Sequence, residues 1–430
     1  MTPHRIPDHL LRSLAAGHGG PEAIAALAAV QLSRNRLLAR VVVELAHRAG
    51  HPETPAARWA YRLLAEIEQA APEVVADLLR YPTVSVWLRT TTAALWRPGP
   101  VPAVRPGRLA AIAAAAAVLA RVAVRFPPGT VGGGRTLVLP SLGQAVLPGD
   151  QEPMEVRPEN RSVTLIRGPR RLPVDPDRES PGWTPLPRLS PGGATIRLDG
   201  AGWRLVPGGG PDRRIVPAVE PAAWLRRLAD GYRLLGEHHR PVAAETAAAV
   251  RAVVPLRTPD SSLVSGTFRD GFGAVALSLP DDARLTALTF AHEVQHNKLV
   301  GVMDALPLTV PGETALFYAP WRDDPRPLGA LLHGTYAHLG VAAFWQRQRL
   351  VEKTEEEAGA AQVAFARWRT AAWEATEVVL GTGRLTAVGH LMLAGMRETL
   401  RELLAEPVPP AAQRRADQLA ARHRRRRAGR

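Results

Sequence analysis

The chain contains no cysteine. That excludes disulfides, thiolate zinc sites, iron–sulfur ligation and a cysteine nucleophile, so any metal must be held by His, Asp or Glu. Lysine is nearly absent, at Lys298 and Lys353 only, and the formal net charge of +14 is therefore an arginine excess. Together with heavy use of Ala, Pro and Gly, that excess reads as compositional bias rather than as a nucleic-acid footprint. The one dense basic run, RHRRRR at 422–427, reads as a solvated helix end or frayed tail, with a peptide- or nucleic-acid-binding tail as the alternative. The opening MTPHRIPDHLLRSL lacks an apolar signal core. The longest apolar stretch, 109–120, is short, rich in Ala and closed by Arg121, which suits a buried helix and not a membrane span. These absences predict a cytoplasmic protein with no membrane partner. No internal repeat is visible.

What is present suits 430 residues arranged as two or three units. Helical periodicity runs through 21–47, 54–70, 72–90 and 107–125, with Pro21 well placed for a first helical turn. The middle changes character: Gly132-Gly133-Gly134 opens a Pro/Gly-rich region with short apolar runs, TLVLP, SVTLIRG, ATIRLDG and WRLVP, expected as strands. A helical pattern resumes at Pro221 and continues to about Val254. FGAVALSL (272–279) predicts a strand, Pro280-Asp281-Asp282 a cap, and a helix follows from near Ala283. A further helix is expected from Leu328, then others over 353–380, 384–404 and 410–424. The predicted class is α+β, mostly α-helical, with an N-terminal helical region (1–126), a strand-rich region (127–220) and a helical metal-binding region (221–430).

The last region carries LTFAHEVQHNKL, with His292-Glu293-Val294-Gln295-His296 as an HExxH motif. Residues four apart share one face of a helix, so the two imidazoles would lie over one point. The helix looks amphipathic, with Leu288, Ala291, Leu299 and Val302 apolar. The plain alternative is a pair of satisfied histidines in a helix groove. Two histidines need a third ligand, and the peptidase patterns do not supply one. The positions that a metzincin-like continuation gives to Gly and His hold Leu299 and Val302. Glu313 follows Pro311-Gly312 without a matching downstream acid, and fits a loop or cap carboxylate better. His333 on the following helix is the favoured partner. Gly334 would let another backbone or a small ligand approach it, and His338, five residues on, would point elsewhere.

Three segments together resemble the 2-oxoglutarate-dependent HExxH-type peptide β-hydroxylases, the HEXXH-motif domain of ribosomal-peptide modification clusters. They are LTFAHEVQHNKL, then YAPWRDDPRPLGALLHGTYAHLGVAAFW (318–345), and the N-terminal LRSLAAGHGGPEAIAALAAVQLSRNRLLARVVVEL. The strand-rich middle matches only loosely. The resemblance implies Fe(II) rather than zinc, with 2-oxoglutarate and O2 as cosubstrates and hydroxylation at a β-carbon of a ribosomally made precursor peptide. On that reading His292, His296 and His333 are the metal ligands, with Glu313 or Asp304 as fallbacks for the third. Glu293 becomes a carboxylate that orients a ligand histidine or substrate group. Tyr336 is a pocket candidate or a core residue. The distal carboxylate of 2-oxoglutarate would suit an Arg fork, with Arg326, stiffened by Pro325 and Pro327, ahead of Arg322. The rival readings are a zinc metallopeptidase using Glu293 to activate water, and a non-catalytic peptide- or nucleic-acid-binding protein.

Overall fold

The computed structural model describes residues 5–97, 99, 103–131, 135–149, 151–160, 162–200, 202, 215, 220–258 and 263–428. The chain begins with helices α1 (Asp8–Ala15), α2 (Gly20–Arg48), α3 (Thr54–Ala70), α4 (Pro72–Leu79), α5 (Pro82–Trp96) and α6 (Leu109–Ala120). Helices α2 to α5 each carry Pro in the first turn, where a missing N–H costs nothing. The expected helix 72–90 is two helices, because Pro82 holds Tyr81 in extended backbone. The expected helix 107–125 stops at Ala120, where Arg121 turns left-handed with φ 55°, and the chain leaves as a strand. Residues 109–118 of α6 are all buried, as its alanine run requires.

The strands that follow are β1 (Val124–Phe126), β2 (Thr136–Leu139), β3 (Gly143–Val146), β4 (Met154–Pro158), β5 (Val163–Arg167), β6 (Arg170–Val174), β7 (Trp183–Pro185), β8 (Arg188–Leu189) and β9 (Ile196–Leu198). TLVLP, SVTLIRG and ATIRLDG thus contain β2, β5 and β9. WRLVP and Gly132-Gly133-Gly134 lie outside the described residues. Antiparallel sheets β1-β4-β5-β6 and β2-β3-β7 share one core with the second half of α2 and with α3 to α6.

The expected helix from Pro221 to Val254 is instead α7 (Pro221–His238) and α8 (Arg240–Ala249), broken beside Pro241, then strand β10 (Ala252–Pro255). All four residues of β10 are buried. It lies between parallel neighbours β9 and β12 (Ala274–Leu277), where an uninterrupted apolar run is the stable choice. The short strand β11 (Ser265–Gly266) closes this mixed sheet, antiparallel to β12.

From β12 the chain enters α9 (Ala283–Ala305). The Asp282 carboxylate caps it by accepting the Leu285 N–H at 2.7 Å. After a small ladder of β13 (Leu316–Phe317) and β14 (Arg326–Pro327) come α10 (Leu328–Gln348), α11 (Glu355–Gly381), α12 (Ala387–Ala405) and α13 (Pro410–Ala428). Helix α9 is not the half-exposed amphipathic helix the sequence suggests. It packs against α2, α7, α8 and α10 and is buried on nearly every side. Helix α1 and the start of α2 share a core with α9 to α12. The molecule is mostly helical with small sheets, an α+β fold. Among the described residues no helix is long and apolar enough to cross a membrane.

Candidate metal centre

His292 and His296 stand one turn apart on α9, with Nε2 atoms 3.1 Å from each other. Two nitrogens each about 2.1 Å from a shared ion, at that separation, subtend roughly 95° at it. The pair therefore fits two neighbouring positions on one metal. Both open into a cavity of about 700 Å³ between α9, α10, α11 and the edge strand β11.

Helix α10 brings two more imidazoles. The His333 ring, the favoured third ligand of the sequence reading, has its centroid 5.8 Å from that of His296. His338 does not point elsewhere: its ring is 5.2 Å from that of His292. Five residues rotate a helix by roughly 140° beyond a full turn, and the cavity is wide enough to meet both faces. His338 Nδ1 is bonded to the Gly334 carbonyl at 2.8 Å, which fixes the ring and leaves Nε2 as the acceptor nitrogen. The ring stacks on Trp321 at 4.2 Å and 13°, and Trp368 lies 4.9 Å away. Gly334 does permit a close approach, by this indole: a Cβ there would sit 2.5 Å from Trp321 Cζ2 and Nε1.

Burial pushes all four imidazoles below their ordinary pKa, His333 to about 4 with Arg269 as a further cause. Unprotonated imidazoles are what a metal needs. Among the described residues, however, no three His, Asp or Glu side chains already stand as a complete ligand set. Only the His292–His296 pair stands at a separation that suits one ion, and the imidazoles nearest to it, His333 and His338, are on α10.

Glu293 is 1% exposed and faces β11. Ser265 Oγ donates to its Oε1 and Thr267 Oγ1 to its Oε2, each at 2.7 Å, and Oε1 is 3.9 Å from His292 Nε2. Neither hydroxyl was identified from the sequence, and neither was Arg269 at the cavity rim. A signal existed: Ser265, Thr267 and Arg269 alternate, which puts them on one face of an extended segment just before the motif helix.

Arg322 and Arg326 both line the cavity. Each also donates to Asp324, at 2.8 and 2.9 Å, and together they hold that exposed carboxyl down to about 2. They form a rim cluster rather than a buried clamp. Arg269, also exposed on the rim, has no carboxylate within ion-pair distance among the described residues.

The remaining candidates lie elsewhere. Tyr336 is core, not pocket: it is fully buried and its hydroxyl donates to the Leu14 carbonyl at 2.5 Å. Asp304 is held by Arg34 at 2.7 Å, by Arg89 at 3.1 Å and by Gln31 at 3.0 Å, which ties α9 to α2 and α5. Glu313 accepts from the Ala315 N–H at 2.8 Å and lies 3.6 Å from Arg384, as a loop carboxylate does. Neither fallback ligand reaches the histidines. Compared with known proteins, the chain matches no protein-family model and no curated protein.

Proposed function

We propose that the chain is an Fe(II)- and 2-oxoglutarate-dependent dioxygenase that hydroxylates a side-chain carbon, the β-carbon, of a ribosomally made precursor peptide. The observation that carries this over the zinc-peptidase reading is the engagement of Glu293. A peptidase needs that carboxylate aimed at a metal-held water so that it can take a proton. Here both oxygens already accept hydroxyls from Ser265 and Thr267. A carboxylate so fixed is suited to orienting the neighbouring imidazole.

In this reading His292 and His296 hold the metal, and His333 or His338 supplies the third nitrogen. Fe(II) with 2-oxoglutarate and O2 would supply the oxidising power: one oxygen atom enters the peptide C–H bond, the other leaves in succinate, and CO2 is released. The protein's part is to bind, orient and exclude. Trp321 and Trp368 cover the α10 side of the cavity with apolar rings. Arg269, Arg322 and Arg326 make its rim cationic, which suits a dicarboxylate, and a guanidinium forks onto carboxylate oxygens. Arg269 is the first choice because the carboxylate beside it, Asp270, is ion-paired with Arg89 at 2.9 Å instead.

The test is an anaerobic titration of the purified protein with Fe(II) and then 2-oxoglutarate. A visible charge-transfer band is expected, and it should vanish in His292→Ala and His296→Ala. No band, together with peptide cleavage by the Zn(II)-loaded protein, would establish the peptidase reading instead.

A further inference from the structure

We infer that the C-terminal helix α13 extends the cavity rim into a docking surface for an acidic segment of the peptide substrate. The inference rests on the peptide-modifying reading above and adds where the substrate is held. Its first support is continuity. Trp368 on α11 lines the cavity, and the guanidinium of its neighbour Arg367 lies over its ring, 4.5 Å from the centroid. Burial disfavours the Arg367 charge, and Arg426 on α13 is near enough to add to that effect. The link also runs through the rim loop: Tyr318 Oη is bonded to His423 Nδ1 at 2.7 Å, and His423 Nε2 lies 3.7 Å from Asp323, next to Arg322.

The second support is unbalanced charge. Arg424 is neutralised by Glu374, at 2.5 and 2.6 Å. Arg422, Arg425 and Arg426 are exposed and have no carboxylate within ion-pair distance among the described residues. With Arg367 they make a cationic surface that reaches the cavity wall at Trp368. Such a surface favours an anionic partner. A peptide fits better than a nucleic acid. Single strands are held by bases stacking on free aromatic rings, and the aromatic rings here are engaged: Trp321 and Trp368 pack on His338, and Tyr318 on His423. Holding the peptide at α13 would raise its effective concentration at the cavity without a new contact there.

The experiment uses the full chain, metal-free and under nitrogen, so that it does not depend on any oxidation chemistry. Fluorescein-labelled deca-glutamate is titrated by anisotropy at low salt, beside a deca-thymidine strand of similar charge. The variant Arg422→Ala/Arg425→Ala/Arg426→Ala is compared with Arg40→Ala/Arg58→Ala/Arg62→Ala, which removes the same charge from exposed positions on α2 and α3. The α13 variant should bind the peptide about tenfold more weakly, and the control less than twofold. Equal losses in the two variants, no binding by the unaltered chain, or tighter binding of the thymidine strand would each overturn the inference. Peptide binding as expected, with no charge-transfer band in the iron titration, would leave the docking surface standing and remove the dioxygenase reading alone.

Discussion

Gly334→Ala is the substitution that most directly tests how the second wall of the centre is built. The added methyl would meet Trp321 Cζ2 and Nε1 at 2.5 Å and Cε2 at 2.6 Å. Carbon atoms rest at about 3.5–4.0 Å, so the indole must retreat by roughly 1 Å. It cannot do so freely, because its other relation is the stack on His338 at 4.2 Å. Overpacking of this kind costs about 1–3 kcal/mol. The same displacement loosens the ring that holds His338, and where His338 is the third donor, disturbing the group that orients it should lower metal affinity by about 10- to 100-fold. Gly329 is the internal control: it lies on the same helix and lines the same cavity, but a Cβ there meets nothing within 4 Å. Gly329→Ala should be neutral or slightly stabilising through helix propensity. The assay is urea unfolding together with anaerobic Co(II) or Fe(II) titration. Trp321→Phe in the Gly334→Ala background should recover part of both losses by shortening the ring. If Gly334→Ala matches Gly329→Ala in stability and metal affinity, the notch-and-stack account of His338 is wrong.

Bound iron measured in single Ala variants should fall most for His292 and His296, and the larger loss between His333→Ala and His338→Ala identifies the third ligand. Arg269→Ala should weaken 2-oxoglutarate binding by about 10- to 100-fold, since a charge-assisted hydrogen bond contributes about 1.5–3 kcal/mol, and Arg322→Ala and Arg326→Ala less; unaltered affinity in all three rim variants would remove the rim from cosubstrate binding. Lys298→Met leaves Glu245 buried without its cation, so unfolding free energy should drop by about 3–5 kcal/mol, with a smaller loss when Glu245→Gln is added; an unaltered urea midpoint would contradict this. His239 is held below its ordinary pKa of 6.5 by burial and contacts Gln348 at 2.8 Å. As pH falls below about 6.5 the unfolded chain takes up this proton before the folded one, so stability falls with pH, and His239→Asn should show a smaller loss between pH 7.5 and 5.5.

The parts of the fold legible in the sequence are those with local causes. The start of α9 follows from Asp282 as cap, and α10 begins just after Pro327. The start of β10 was not legible. RAVVP continues an Ala-rich helical pattern, and a short apolar run reads equally well as buried helix or buried strand. What decides it is pairing with β12, a partner more than a dozen residues away. The candidate site divides in the same way. The His292–His296 pair follows from helix spacing alone. Asp304 shares their helix, but eight residues are about 12 Å along the axis, beyond any common ion. Tyr336 and His338 could not be sorted by spacing, because what separates them is the shape of the cavity: one meets Leu14 across a packed interface and the other meets Trp321 in the notch at Gly334.

The residues between and after the two motif histidines explain why α9 can aim them at all. A helix surrounded by apolar neighbours could turn about its axis at little cost, and a modest rotation would carry both imidazoles out of register with the cavity. Polar groups buried on the other faces prevent this, since each loses its partner if the helix turns. Gln295 donates to the Gly17 carbonyl at 2.9 Å. Asn297 accepts from the Gly273 N–H at 2.7 Å and donates to the Ala274 carbonyl at 3.3 Å. Lys298, fully buried, reaches Glu245 and the Gly17 carbonyl, both at 2.8 Å. Glu293 is fastened to β11. The pins come from the α1–α2 loop, from α8, from the start of β12 and from the β11 segment, so they act from several directions. A zinc or iron site needs two nitrogens to meet within a few tenths of an ångström. In QHNKL the polar neighbours of His296, more than the histidine itself, set the rotation at which both imidazoles face the cavity.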